Sequence, residues 1–354
     1  MHGLQSTVET LLALLLVIFA VAVVVRWVKL PYPIALVVAG LLGFQPGFRE
    51  IHLTPDLILV VFLPILLFEG AYNVSARGLW RNVIPIGLLA VPGVLVGTAV
   101  TGTLVHLILK LPWPVALLFG ALISSTDPIA VVSLFRELGA PKRLALLVEG
   151  ESLFNDGASI TLFQIILAVV VTNTFNIGGG IMRFFVNVLG ALVIGLAVGW
   201  GGSRLLRTID NAQLQITATV IGAYGAYLIA EHLGVSGAIA VVITGLFLGN
   251  YGAADGISPS SLSAIGATWE FLGFLGNSFI FLFIGIELSP LILLQNAGVI
   301  AIAFVAAVVG RAIAVYALMP WLRERYGIVP KFRPVLVWGG LRGAVSLALV
   351  LSIP

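Results

Sequence analysis

The sequence predicts an all-helical protein that crosses a membrane many times. Of its 354 residues 60% are hydrophobic and only 9% are charged, whereas a soluble domain has about 25% charged residues. The apolar runs are long and do not alternate with polar residues, which excludes a transmembrane β-barrel. The chain has no cysteine, so disulfides and thiolate metal sites are excluded. The basic residues lie in short loops between apolar runs, which argues against a nucleic-acid partner.

At about 20 apolar residues per span, the chain divides into twelve candidate transmembrane segments. Their ends are defined to within a few residues. They lie near residues 6–27, 32–45, 55–73, 82–109, 113–135, 144–172, 181–203, 211–231, 235–250, 264–288, 295–320 and 333–354.

The lysines and arginines predict the orientation of these segments. Thirteen of the 18 lie in the odd-numbered loops, and three lie in the N-terminus and the even-numbered loops. Because positive charge marks the cytoplasmic side, we expect the N-terminus outside and a multi-pass location in the cell membrane. The last segment ends just after the apolar run SLALVLSIP, so we expect a thirteenth span to follow it.

Five charged residues lie near the middle of predicted spans. Burying a charge there costs about 2.5–3.5 kcal/mol on insertion scales, so each of these residues calls for a function or a partner. They are Asp127 in segment five, Glu151 and Asp156 in segment six, Arg311 in segment eleven and Arg342 in segment twelve.

The stretch EGESLFNDGAS, residues 149–159, presents two different polar faces if it is helical. Ser152 and Asp156 are four residues apart and share a face, with Glu149 one turn earlier. This face offers hard oxygen ligands suited to Na⁺, Li⁺ or a proton. Glu151 and Asn155 form a second face, which is better suited to bracing a neighbouring helix. For Glu151 a structural ion pair with Arg311 is an equally good interpretation.

Two segments carry sequences that interrupt a helix. In ISSTDPIAVV, residues 123–132, Pro128 removes a backbone donor directly after Asp127. In WGGLRGAVSLALV, residues 338–350, three glycines surround Arg342. An interrupted membrane helix must be buried in protein or line a water-filled cavity, although an ordinary proline kink would also fit the first case.

The interrupted segments are the fifth and the twelfth, which predicts an inverted-repeat architecture. Six-helix repeats separated by one linker helix would make these two segments equivalent and opposite in direction. We therefore predict one transmembrane domain with repeats over about 6–172 and 211–354, the second incomplete, and a linker helix over 181–203. In such proteins the binding site forms where the interrupted helices cross near the midplane.

Four motifs in order resemble the monovalent cation:proton antiporter-1 family, which includes the NhaP-like sodium/proton antiporters. They are TDP at 126–128, GESLFND at 150–156, VVGRAIAV at 308–315 and GGLRGAVSLAL at 339–349. The resemblance implies a transporter and not an enzyme, with thirteen helices, an extracellular N-terminus and a homodimer. It also implies a dimerisation domain that moves against a six-helix ion-transporting bundle.

The resemblance also implies roles for individual residues. Asp156 would carry the ion and the proton, and Asp127, Ser152 and the carbonyl group of Thr126 would help to coordinate the cation. The remaining residues would support this site: Asn155 beside Asp156, Glu151 with Arg311 in a buried ion pair or reached by water, and Arg342 at the second helix break.

The expected mechanism is competition between one cation and one proton for Asp156. Because residue 155 is asparagine, this pair offers one titrating carboxylate, which predicts electroneutral exchange of one Na⁺ or Li⁺ per H⁺. No cofactor is expected beyond the transported ions. The alternatives are an antiporter of the same fold selective for K⁺ or Ca²⁺ and, more remotely, an intramembrane aspartyl protease using Asp127 and Asp156. We find no selectivity loop of the kind that a cation channel needs.

Overall fold

The computed structural model describes residues 2–28, 30–43, 57–128, 131–132, 134–135, 138–172, 177–252, 257–351 and 353. These residues form helices joined by short connections. In chain order the helices are α1 (His2–Val28), α2 (Tyr32–Gly43), α3 (Leu63–Asn73), α4 (Ala76–Arg81), α5 (Val83–Ala90), α6 (Pro92–Leu109), α7 (Trp113–Leu122), α8 (Lys142–Thr172), α9 (Ile177–Thr208), α10 (Ala212–His232), α11 (Gly237–Phe247), α12 (Pro259–Glu287), α13 (Pro290–Gln295), α14 (Ala297–Tyr326), α15 (Arg333–Trp338) and α16 (Ala344–Leu351).

Helices occupy all twelve predicted segments within the described part of the chain. Among the described residues, six spans are long and apolar enough to cross a membrane by length and composition, and four further apolar helices are shorter. The short ones include the pieces of interrupted or π-helical spans, such as the π-helical turns Leu57–Phe62 before α3 and Leu248–Gly252 after α11. The predicted residues 44–45, 55–56, 129–130, 133, 352 and 354 lie outside the described residues.

The helices pack in two groups. Helices α5, α6, α7, α8, α14 and α15 pack against one another and form what we call the bundle, which also includes α16 because α16 contacts α7 and α8. Helices α1, α2, α3, α9, α10, α11 and α12 form the second group, which we call the flanking helices. Contacts of α3 and α11 with α8, and of α12 with α16, join the two groups.

A buried aromatic contact holds the flanking helices together, and a polar clamp holds the bundle together. Among the flanking helices, the ring of Trp269 packs 4.2 Å from that of Phe68, and its indole nitrogen donates to Thr219 Oγ1 at 2.9 Å. In the bundle, Arg143 at the start of α8 donates to Asn82 Oδ1 at 3.0 Å and to the carbonyl of Tyr326 at 2.8 Å. Arg143 therefore ties the start of α8 to the beginning of α5 and the end of α14.

Both predicted helix breaks are present. Helix α7 ends at Leu122, residues 125–128 have no regular structure, and the chain is helical again at residues 131–132. In the last segment α15 ends at Trp338, and α16 begins at Ala344. The first interruption is therefore a true break and not a proline kink.

Candidate functional site

The two helix breaks cross each other at the centre of the bundle. The backbone nitrogen of Asp127 donates to the carbonyl of Leu341 at 2.7 Å. The Arg342 guanidinium donates to the carbonyls of Ser124 and Ser125, both at 3.2 Å. These carbonyls follow the C-terminus of α7, where helical partners are lacking. Arg342 therefore takes the predicted position at the second break and satisfies the backbone of the first one.

Asp156 faces this crossing from the middle of α8. Its side chain is buried, with 9% of the residue surface exposed. Its Oδ1 accepts a hydrogen bond from the Ser125 hydroxyl at 2.5 Å, and Ser125 itself lies in the unwound stretch. The position of the carboxylate is thus fixed against the first break, with Asp127 beside it in the same stretch.

Two other polar side chains of α8 hold Thr126 in its unwound conformation. The Asn155 amide donates to Thr126 Oγ1 at 2.6 Å, and the backbone nitrogen of Thr126 donates to Asn155 Oδ1 at 3.3 Å. The Ser152 hydroxyl donates to the carbonyl of Thr126. Asn155 thus acts on the break, and Ser152 and the Thr126 carbonyl, two of the predicted cation ligands, are already in contact.

A cavity of about 100 Å³ lies between the bundle and the flanking helices, next to these groups. The bundle contributes both breaks and the α8 side chains Glu149, Ser152 and Asp156. The flanking helices contribute Glu69 of α3 and Asn277 of α12. The cavity therefore reaches the predicted ligands and exceeds the volume that one water molecule needs.

Residues 149–159 present their polar side chains in two directions. Glu149, Ser152 and Asp156 line the cavity, as their helical spacing predicts. Glu151 and Asn155 point elsewhere: Glu151 lies against Arg311, and Asn155 lies against Thr126. The periodicity of a single helix was enough to separate these two sets.

Glu151 and Arg311 form a buried two-point ion pair. One guanidinium nitrogen contacts Glu151 Oε1, and the other donates to Oε2 at 2.8 Å. Arg311 also donates twice to the carbonyl of Leu336, at 2.8 and 3.2 Å. This carbonyl lies near the end of α15, just before the second break. The pair therefore joins α8, α14 and α15 inside the bundle.

Four polar residues at the cavity were not in the predicted ion-binding set. They are Ser125, Glu69, Glu149 and Asn277. Ser125 is one of three adjacent hydroxyl residues, and Glu69 lies near the end of a predicted segment, so neither stands out in the sequence. Asn277 does not stand out either, because an isolated amide near an apolar run has no distinctive pattern. The helical spacing of Glu149 from Ser152 was the one signal available for any of the four.

Gly343 permits the two breaks to approach closely. A Cβ atom at this position would lie 2.5 Å from both Cβ and Oδ2 of Asp127. We expect Gly343→Ala to destabilise the protein by about 1–3 kcal/mol, the usual effect of overpacking. A lower melting temperature in detergent would show this. Gly266→Ala on α12, where a Cβ would meet no atom within 4 Å, is the matched control. Equal melting temperatures for both variants would contradict the close approach.

Comparison with known proteins agrees with the architecture. The family model described as "Sodium/hydrogen exchanger, transmembrane" matches residues 11–354. The Na(+)/H(+) antiporter ApNhaP of Aphanothece halophytica is 40% identical over 329 residues, which cover 92% of this chain and 63% of that protein. The Na(+)/H(+) antiporter NhaH of Halobacillus dabanensis is 35% identical over 371 residues, which cover all of this chain and 91% of that protein.

A solved structure shows the same fold. The sodium proton antiporter MjNhaP1 from Methanocaldococcus jannaschii superposes with a TM-score of 0.82 at 23% identity, covering all of this chain and 86% of that one. The chain spans slightly less than two thirds of ApNhaP and of the Synechocystis antiporter NhaS2, at 63% and 65%. The predicted resemblance is confirmed: the chain belongs to the sodium/hydrogen exchanger family, whose members are transporters and not enzymes.

Proposed function

We propose that this protein exchanges Na⁺ or Li⁺ for H⁺ across the membrane, and that both ions compete for Asp156. The observation that carries the proposal is the position of Asp156. Its buried carboxylate lies where a cavity meets two crossing helix breaks. Curated relatives that cover most or all of this chain bear the name Na(+)/H(+) antiporter, which supports the same exchange here.

The cation would bind between the unwound stretch and α8. Asp156 and Asp127 would supply charged oxygens, and Ser152 and the Thr126 carbonyl would supply neutral ones. In the structure Ser152 donates its proton to Thr126, so the free lone pairs of both oxygens remain available. Carboxylate, hydroxyl and carbonyl oxygens are the ligands that suit hard cations.

Protonation of Asp156 would release the cation. A protonated carboxyl is neutral and attracts Na⁺ weakly, whereas a carboxylate in a low-dielectric site attracts it strongly. An empty, charged carboxylate would oppose any movement of the site through the membrane, because burying its charge is costly. Only the occupied states would then cross, so that each Na⁺ moved one way is matched by one H⁺ moved the other way.

The neighbouring Asn155 supports electroneutral exchange. It is neutral, and its amide is engaged with Thr126, so it adds no second proton carrier beside Asp156. We expect exchange rates in proteoliposomes to be equal at −100, 0 and +100 mV, set with K⁺ and valinomycin. A net charge crossing the membrane would couple to the potential by about 2.3 kcal/mol per 100 mV, and a steep voltage dependence would therefore contradict the one-to-one ratio.

The cation can be identified in the same proteoliposomes. With an internal pH dye and an acid-loaded lumen, we expect external Na⁺ and Li⁺ to cause alkalinisation. A response to K⁺ or Ca²⁺ that exceeds the response to Na⁺ would favour the alternative selectivity on the same fold. No response to any cation would refute the proposed exchange.

The resemblance to antiporters also leads us to propose a homodimer in the cell membrane with its N-terminus outside. The positive-charge distribution of the loops supports this orientation. Cross-linking in membranes would test the homodimer. Cysteine labelling at the N-terminus would test the orientation, because the chain has no native cysteine.

A further inference from the structure

Asn277 is a polar residue on the flanking side of the cavity. It lies on α12 and lines the same cavity as Asp156 and Asp127, which belong to the bundle. The cavity lies between the two groups of helices. Asn277 is therefore placed to meet an ion that is held by the bundle, from the opposite wall.

Asn277 is a half-buried residue, and its amide oxygen, which is buried, has no hydrogen-bond partner among the described residues. Leaving a buried acceptor unsatisfied costs free energy, and such atoms in native structures call for an explanation. Leu66 and Leu67 line the same wall of the cavity, and their side chains offer this oxygen no hydrogen-bond donor. The oxygen is therefore available to a ligand that enters the cavity.

The packing of α3 against α12 places a second oxygen-bearing group on the same wall. Gly273 precedes Asn277 by one helical turn, and a Cβ atom at Gly273 would lie 3.1 Å from Cγ of Glu69. This glycine lets the Glu69 side chain lie against α12. Because residues four apart share a helix face, Asn277 and Glu69 lie on the same side of the cavity.

We propose that Asn277 supplies a neutral oxygen ligand to the transported cation and thereby sets the affinity for that cation. An amide oxygen is a hard ligand that suits Na⁺, but it does not titrate near neutral pH. It would therefore strengthen cation binding without adding a proton carrier and without changing the ratio of the exchanged ions. This inference rests on the proposed antiport.

Two variants of Asn277 separate a ligand from a structural residue. Asn277→Leu keeps a similar volume but removes the oxygen, whereas Asn277→Asp keeps a carbonyl oxygen in either protonation state. Asn187→Leu is the matched control, since Asn187 is buried on α9 and does not line the cavity. For each purified protein, Na⁺-driven exchange gives KM and the maximal rate, and the rise in melting temperature with Na⁺ reports binding without transport.

We expect Asn277→Leu to raise KM for Na⁺ about tenfold, the loss of one interaction with a charged partner. Its maximal rate at saturating Na⁺ should stay unchanged, and stabilisation by Na⁺ should require correspondingly more of the ion. Asn277→Asp should keep KM at or below that of the parent protein, and Asn187→Leu should leave KM unchanged.

Other results would overturn the inference. An unchanged KM in Asn277→Leu, or an equal rise in both Asn277 variants, would show that the amide is not a ligand. If Asn277→Leu does not fold, a raised KM in Asn277→Asp would overturn the proposal, and a KM at or below the parent value would support it. If the parent protein exchanges ions and Asn277→Leu has the same KM for Na⁺, this inference alone is refuted. Failure of the parent protein to exchange ions would refute the proposed function as well.

Discussion

Replacing Asp156 with asparagine should reduce Na⁺-driven proton movement to the level of protein-free liposomes. Asparagine has nearly the same shape, but it can neither carry a proton nor balance the charge of Na⁺. In the proposed exchange Asp156 does both, and its neighbour Asn155, which is neutral and engaged with Thr126, cannot replace it. The measurement is alkalinisation of acid-loaded proteoliposomes on addition of Na⁺.

The Asp156→Asn variant should still fold. The Ser125 hydroxyl, which now donates to Asp156 Oδ1 at 2.5 Å, can donate in the same way to the asparagine oxygen. We therefore expect a melting temperature in detergent equal to or above that of the parent protein, since a buried charge is removed. Glu270→Gln, an exposed acid on α12, is the control and should retain exchange. Sustained exchange by a well-folded Asp156→Asn protein would disprove that Asp156 carries the cation and the proton.

Replacing Glu151 with glutamine should cause a large loss of stability. Arg311 would then keep its two hydrogen bonds to the Leu336 carbonyl but would lose its charge partner inside the bundle. Removing one member of a buried ion pair typically costs about 3–5 kcal/mol, because the other charge is left uncompensated. The measurement is the melting temperature of the purified protein in detergent.

A double variant identifies the broken ion pair as the cause of the lost stability. The double variant Glu151→Gln with Arg311→Met should be more stable than Glu151→Gln alone, because no unpaired charge is left in the bundle. Glu324→Gln, an exposed acid near the end of α14, should leave the melting temperature unchanged. A Glu151→Gln protein with normal stability and an altered KM for Na⁺ would instead place Glu151 among the cation ligands.

Features that depend on a single segment could be predicted from the sequence. The separation of Asp156 from Glu151 on α8 follows from helical periodicity, and both breaks follow from the local chemistry of Pro128 and of the glycines around Arg342. The contact between Glu151 and Arg311 was also within reach, because a buried charge in an apolar helix needs a partner, and few were available. These inferences required no knowledge of how distant helices are arranged.

Other features depend on the exact placement of separate helices and could not be predicted. Ser125 was one of three adjacent hydroxyl residues, and only the position of α8 shows that it is the one that donates to Asp156. Asn277 lines the site because α12 faces the cavity at that residue. The clamp from Arg143 to Asn82 and to the carbonyl of Tyr326 joins residues far apart in the chain. Local patterns contain no information about such distances.

The dependence of the apparent KM for Na⁺ on pH tests the central claim most directly. If one proton and one Na⁺ compete for Asp156, KM should rise about tenfold for each unit by which pH falls in the range where the carboxyl group is mostly protonated. The maximal rate at saturating Na⁺ should stay constant over that range, because enough Na⁺ displaces the proton. A KM that is independent of pH, with a maximal rate that falls as the medium is acidified, would show that protons act elsewhere and would contradict the account.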